Sequence, residues 1–180
     1  DEANHVAHGA LALTHFFRGE HERGKIEAYR TIDLSPNNAI WLAMLGFYLA
    51  VHEDFERALP MARRAMELTP HPPSWWRWAF FLDHYHHGRY EDALAEVVDA
   101  NWESDFREPL YVAATYGQLG RHGDAEPALD ELRALWKQPV GDIRQELIER
   151  HSFTPALAGQ LMEGLVKAGL ELESPPQEQG

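Results

Sequence analysis

"LSPNNAIW" at Leu34–Trp41 and "LTPHPPSW" at Leu68–Trp75 decide how this chain is read, because Pro36 and Pro70 lie 34 residues apart and each follows an amphipathic stretch. Proline cannot continue a helix, since it lacks the N–H donor and its ring clashes with the preceding turn. Two such stops at this spacing mark the ends of two units of equal length. An internal period in the range of roughly 20–50 residues points to an array of small repeated units.

Working outward from the two prolines, the same pattern recurs with variations. The middle unit places Leu45, Gly46 and Leu49 on a first helix and Ala58 and Ala62 on a second before Pro70 closes it. Upstream, Leu11, Ala12 and His15 are followed by Gly24, Ala28 and Pro36; downstream, Phe80, Phe81 and His84 are followed by Ala93 and Val97. A fourth unit reads Val112, Ala113, Tyr116, Gly120, Ala125 and Leu129, and the last two units lack the closing proline. Small residues such as Gly46, Ala58, Ala113 and Ala125 let two helices approach closely, while large apolar residues three and four apart fill the seam.

Helix ends agree with this division. Gly19, Gly88 and Gly120 stand just past first helices, where a left-handed residue is wanted. Ser74 after "HPP" is an N-cap candidate, and Thr154 followed by Pro155 is the expected start of a late helix. "GDIRQELIERH" and "TPALAGQLMEGLVKAGL" read as a closing helix pair over about 140–170, and the Pro-rich polar tail at 171–180 is expected to be disordered.

Composition removes several function classes. The 180 residues carry 29 acidic and 16 basic side chains, a formal charge of −13. Nucleic-acid binding rests on the opposite sign of charge, so no nucleic-acid partner is expected. There is no cysteine, which eliminates disulfides, thiolate nucleophiles and cysteine-based zinc sites. No apolar run approaches the roughly 20 residues of a membrane span, so no membrane insertion is expected. The first residues, "DEANHVAHGA", lack both Met and the pattern of a signal peptide, and the chain reads as a fragment of something larger.

The 34-residue period and the small-residue positions together resemble the tetratricopeptide repeat. The resemblance implies an all-α fold, a right-handed α-α superhelix with four units at about 5–38, 39–73, 74–105 and 106–138 plus the closing pair, in one array over 1–170. First helices of such an array line a concave groove. The stripe they would present here is apolar: Leu13, Phe16 and Phe17 in the first unit, Ile40 and Phe47 in the second, and Trp75, Trp78, Leu82, Tyr85 and His86 in the third. These ten residues are the candidate partner-binding groove, suited to an extended peptide or amphipathic helix because buried aromatic and aliphatic anchors dominate binding energy.

Two constellations imitate chemistry. His84 and His87 stand three apart on a helix with Asp83 nearby, as metal ligands do, but the repeat turns His84 toward its partner helix and His86 toward the groove. No metal and no cofactor is therefore assigned. "GEHERGKI" has the glycine and lysine spacing of a phosphate loop at Gly19, Gly24 and Lys25, yet Ile26 stands where a hydroxyl residue should bind magnesium, and Glu20 and Glu22 would repel phosphate. It reads as a turn between helices. No nucleophile, base and orienting acid share a recognisable context, so the segment is expected not to be an enzyme.

"WWRWAFFLDHYHHGRYEDALAE", "AATYGQLGRHGDAEPALDEL" and "LIERHSFTPALAGQLMEGLVKAGL" together resemble the C-terminal tetratricopeptide region of bacterial multidomain signalling proteins that carry a class III adenylate or guanylate cyclase domain, or a winged-helix domain, ahead of a TolB-like segment. The resemblance spans roughly Leu11 to Leu170 and implies a cytoplasmic, non-catalytic interaction scaffold. Its partner would be a protein or peptide, or other domains of the parent protein, with homo-oligomer formation left open. The alternative from the residues themselves is a sensor that takes a small apolar ligand or a metal at the aromatic, His-rich third unit.

Overall fold

The structure, a computed structural model, describes residues 2–98 and 105–171. The expected disordered tail falls outside these residues except for Glu171, as does the stretch 99–104 within the third unit. Among the described residues there are ten α-helices and no strand: α1 (Glu2–Phe17), α2 (His21–Leu34), α3 (Ala39–Val51), α4 (Phe55–Leu68), α5 (Trp78–His86), α6 (Tyr90–Val97), α7 (Arg107–Gln118), α8 (His122–Leu135), α9 (Asp142–His151) and α10 (Pro155–Ala168). One 3-10 turn, Ser74–Arg77, precedes α5. The fold is all-α.

One turn is built four times. Gly19, Glu53, Gly88 and Gly120 follow α1, α3, α5 and α7 at intervals of 34, 35 and 32 residues, and all have positive φ, between 62° and 72°. The residue after each donates its backbone N–H five residues back: Glu20 to His15 (2.8 Å), Asp54 to Leu49 (2.9 Å), Arg89 to His84 (2.8 Å) and Arg121 to Tyr116 (2.9 Å). These bonds satisfy carbonyls that the helix end leaves without partners, and the left-handed residue reverses the chain. Glycine adopts that conformation without a Cβ penalty; Glu53 does so at a cost.

Each reversal folds a helix back on its predecessor, so α1 pairs with α2, α3 with α4, α5 with α6 and α7 with α8. Small residues set the distances. In the first pair the Phe16 ring lies where a Cβ on Gly24 would sit, 2.6 Å from that position, so the glycine is what admits a phenylalanine into the seam. In the second, a Cβ on Gly46 would lie 3.1 Å from the Ala58 carbonyl oxygen. Asn38 starts α3 by accepting the Trp41 N–H (3.2 Å), and Thr154 starts α10 by accepting that of Leu157 (3.1 Å) with Pro155 in the first turn. Ser74 departs from expectation. It begins the 3-10 turn and does not cap an α-helix, because Pro72 and Pro73 hold the chain extended up to it and α5 starts only at Trp78.

The C-terminal pair does more than lengthen the row. α10 packs along α7 with glycines at the crossing: a Cβ on Gly117 would lie 2.0 Å from the Gly164 carbonyl oxygen, and one on Gly164 would lie 2.5 Å from that of Ala114. α9 meanwhile returns to touch α1, at the other end of the sequence. The link between them, Ser152–Thr154, is thereby laid against the C-terminal ends of α1 and α3.

Candidate functional site

The ten residues of the expected groove do not share one environment. Phe16, Phe47, Trp78, Leu82 and Tyr85 are buried, Leu13, Trp75 and His86 are half-buried, and only Phe17 and Ile40 are exposed. Their burial has an identifiable source. Ser152 Oγ–H donates to the Phe16 carbonyl (2.8 Å), Phe153 packs edge-on to Phe47 with ring centres 6.3 Å apart, and Tyr85 donates its hydroxyl hydrogen to the Gln160 carbonyl of α10 (3.1 Å). The protein's own C-terminal segment packs on Phe16, Phe47 and Tyr85.

The seal has two clasps that meet the two strained turns. Ser152 (φ 61°) and Glu53 (φ 62°) are the only non-glycine residues with positive φ among those described. His52 Nε2 donates to Ser152 Oγ (3.2 Å), while Thr154 gives its hydroxyl hydrogen to Glu53 (2.5 Å) and its backbone N–H to the Val51 carbonyl (3.3 Å). Left-handed backbone persists at such residues only when the surroundings over-determine it. Burial lowers the pKa of His52 to about 3, helped by His21, whose ring centre is 4.1 Å away, and by Lys25, so its imidazole is neutral.

The other half of the stripe stays open. Between α3 and α5 lies a cleft of about 210 Å³ lined by Met44, Phe47, Tyr48, Trp75, Trp78 and Arg107. Phe17 meets Tyr48 edge-on at its margin, with centres 5.5 Å apart. Arg107, the first residue of α7, is mostly buried. Its guanidinium carbon sits 4.6 Å over the Trp78 ring and 6.0 Å from that of Phe47, a cation–π arrangement. Asp105 holds it through Nε (2.9 Å) and Nη2 (2.5 Å). Burial alone would raise the Asp105 pKa, but the hydrogen bonds and charge of Arg107 overcome it and hold the carboxyl below its ordinary value. Burial raises the Tyr48 hydroxyl pKa, opposed in part by Arg107. His151 is pushed down to about 4, first by burial and then by Arg107, and is also neutral.

The histidines of the third unit are taken up by different partners, although His86 and His87 both lie against Phe55. His87 Nδ1 lies 2.8 Å from the Asp83 carbonyl oxygen, Arg89 donates to His84 Nδ1 (3.0 Å) and to the Asp83 carboxylate (2.5 Å), and the His86 ring lies against Phe55 with centres 5.3 Å apart. Among the described residues no group of three or more His, Asp or Glu side chains is placed to hold a metal. The Gly19, Gly24 and Lys25 set forms the turn into α2 and the helix itself, with no strand before it.

The ten expected groove residues omit Arg107, Asp105, Met44 and Tyr48, although Arg107 falls on the first-helix stripe of the fourth unit with Leu110 and Ala114. Asp105 lies in the linker before α7, so its pairing with Arg107 carries no periodic signal, and Tyr48 sits one position off the expected stripe. What could have flagged Arg107 is a cation at the first turn of a helix, where the helix dipole disfavours it and another partner must compensate.

No family model, no curated protein and no solved structure matches this chain. No helix among the described residues is long and apolar enough to cross a membrane.

Proposed function

We propose that this chain is a non-catalytic protein-interaction module: a right-handed α-α superhelix of four tetratricopeptide-type units with a C-terminal pair, serving as the regulatory region of a larger cytoplasmic signalling protein of bacterial type. The fourfold recurrence of one left-handed turn at near-equal spacing supports the repeat. The observation that carries the binding role is the apolar surface beside the cleft, where Ile40 is 61% exposed and Phe17 47% exposed on neighbouring helices. Large side chains left in water next to an aromatic recess suit an interface anchor. The contact surface in this reading is narrower than the ten-residue stripe and comprises Leu13, Phe17, Ile40 and Trp75.

The experiment is affinity purification with wild type and with a Phe17→Ser, Ile40→Asp double variant, followed by titration of each purified candidate partner. A partner that binds wild type and loses at least tenfold affinity for the variant, with helical circular dichroism unchanged, supports the reading. Equal affinity for both overturns it. A second reading, a ligand sensor, is favoured by one feature: the cleft is enclosed on several sides by aromatic rings and contains a fixed cation.

A further inference from the structure

Arg107 is an unusual residue to find lining an aromatic recess. Taking a guanidinium out of water is costly, and an apolar side chain of similar volume would serve packing at least as well. Here the charge is kept and doubly restrained, stacked on Trp78 on one side and tied to Asp105 on another. Among the described residues its hydrogen bonds use Nε and Nη2 with Asp105, and Nη1 makes none. A guanidinium fixed along one edge presents its remaining N–H groups in a set direction, which is what bidentate or planar recognition of an oxygen acid needs.

The dimensions select the ligand. An apolar cavity of about 150 Å³ suffices to hold benzene, whereas sites for drug-sized molecules start at about 300 Å³. At about 210 Å³ this cleft fits one aromatic ring, or a fused pair, with a short substituent. Trp75, Trp78, Phe47 and Tyr48 offer ring faces and edges for such a group. A cationic ligand is disfavoured, because Arg107 already occupies the face of Trp78 and would repel it. Asp105 offsets part of the attraction for an anion, so the acid must engage the donor edge that Asp105 leaves.

We infer that the cleft between α3 and α5 is a binding site for a small aromatic carboxylate, its ring among Phe47, Tyr48, Trp75 and Trp78 and its acid group on Arg107. This goes beyond the protein-interaction reading: the two surfaces share Trp75, but Phe17 and Ile40 do not line the cleft, so their double variant separates the two.

Isothermal titration of the full chain with phenylacetate and indole-3-acetate tests the site, with phenylacetamide and phenyltrimethylammonium as the neutral and cationic counterparts. Saturable binding of at least one acid is expected, about tenfold or more tighter than the amide, with the ammonium compound silent. Trp75→Ala, at a half-buried position, should abolish binding of acid and amide alike. Asp105→Asn with Arg107→Met, changed together so that neither charge is left unpaired, should bring the acid down to the affinity of the amide. No saturable binding of either acid at millimolar concentration overturns the inference, as does an acid that binds no better than the ammonium compound or is indifferent to Trp75→Ala. The Phe17→Ser, Ile40→Asp variant should bind the acid as wild type does; if it loses the acid while Trp75→Ala keeps it, the ligand sits elsewhere and the inference fails.

Discussion

The apolar stripe of first-helix residues divides into a sealed half and an open half, and the two are built from the same kinds of side chain. Phe16 and Tyr85 meet Ser152 and α10, while Trp75 borders a cleft, and Phe17 and Ile40 are exposed. Neither residue type nor periodic position separates them. What differs is the presence of the returning C-terminal segment, which makes one half into core and leaves the other as surface.

Removing the plug breaks this contrast most severely. Phe153 is buried against Phe47, and Phe153→Ala should cost about 3–4 kcal/mol, as large-to-small core changes do. Urea denaturation should show the midpoint fall, with increased binding of a hydrophobic dye as the sealed half opens. Next comes the crossing of α10 over α7. Gly117→Ala places a methyl into the Gly164 backbone and should cost about 2–3 kcal/mol, whereas Gly159→Ala, where a Cβ meets nothing within 4 Å, should be neutral or stabilising.

Acid should act on both halves, through His52 beside Ser152 and His151 beside Arg107. His52 and His151 are held neutral in the folded chain, with pKa values of about 3 and about 4 against 6.5 when unfolded. Above pH of about 6.5 both states bind no proton there and nothing is lost. As pH falls below that value the unfolded chain takes up protons that the folded chain refuses, so stability declines progressively until the folded pKa values are reached. Urea midpoints at pH 7.5, 6.0 and 4.5 should therefore fall, and His52→Gln should flatten part of that fall relative to wild type.

Smaller effects sharpen the comparison. Ser152→Ala removes the hydroxyl that bonds the Phe16 carbonyl and accepts from His52, for an expected loss of about 1–2 kcal/mol. Ile40→Ser, on the open half, should shift stability by no more than about 0.5 kcal/mol, because the side chain is already in water. Thermal melts of these two variants side by side give the contrast directly: equal losses would mean that the two halves are not energetically different.

Much of the local architecture was legible. Pro36 and Pro70 lie two residues past the ends of α2 and α4, where proline commonly follows a helix, although Pro60 and Pro127 sit inside α4 and α8, and Gly19, Gly88 and Gly120 reverse the chain because only glycine takes left-handed backbone freely. Glu53 occupies the same place in the α3–α4 turn and was not legible, since no propensity singles out a glutamate for it; its conformation is accompanied by the Thr154 bond from about a hundred residues away. Gly24 was legible as a small-residue position, but that it admits the Phe16 ring was not.

The amino-acid order by itself determined the all-α class, the helical hairpins and the apolar stripe along the first helices, because these follow from backbone preferences and short-range periodicity. Which part of that stripe is core and which is cleft, and that Asp105 and Trp78 together hold Arg107, was decided only in three dimensions. A residue's burial depends on what lies across from it, and here the covering segment is separated from α1 and α3 by most of the chain.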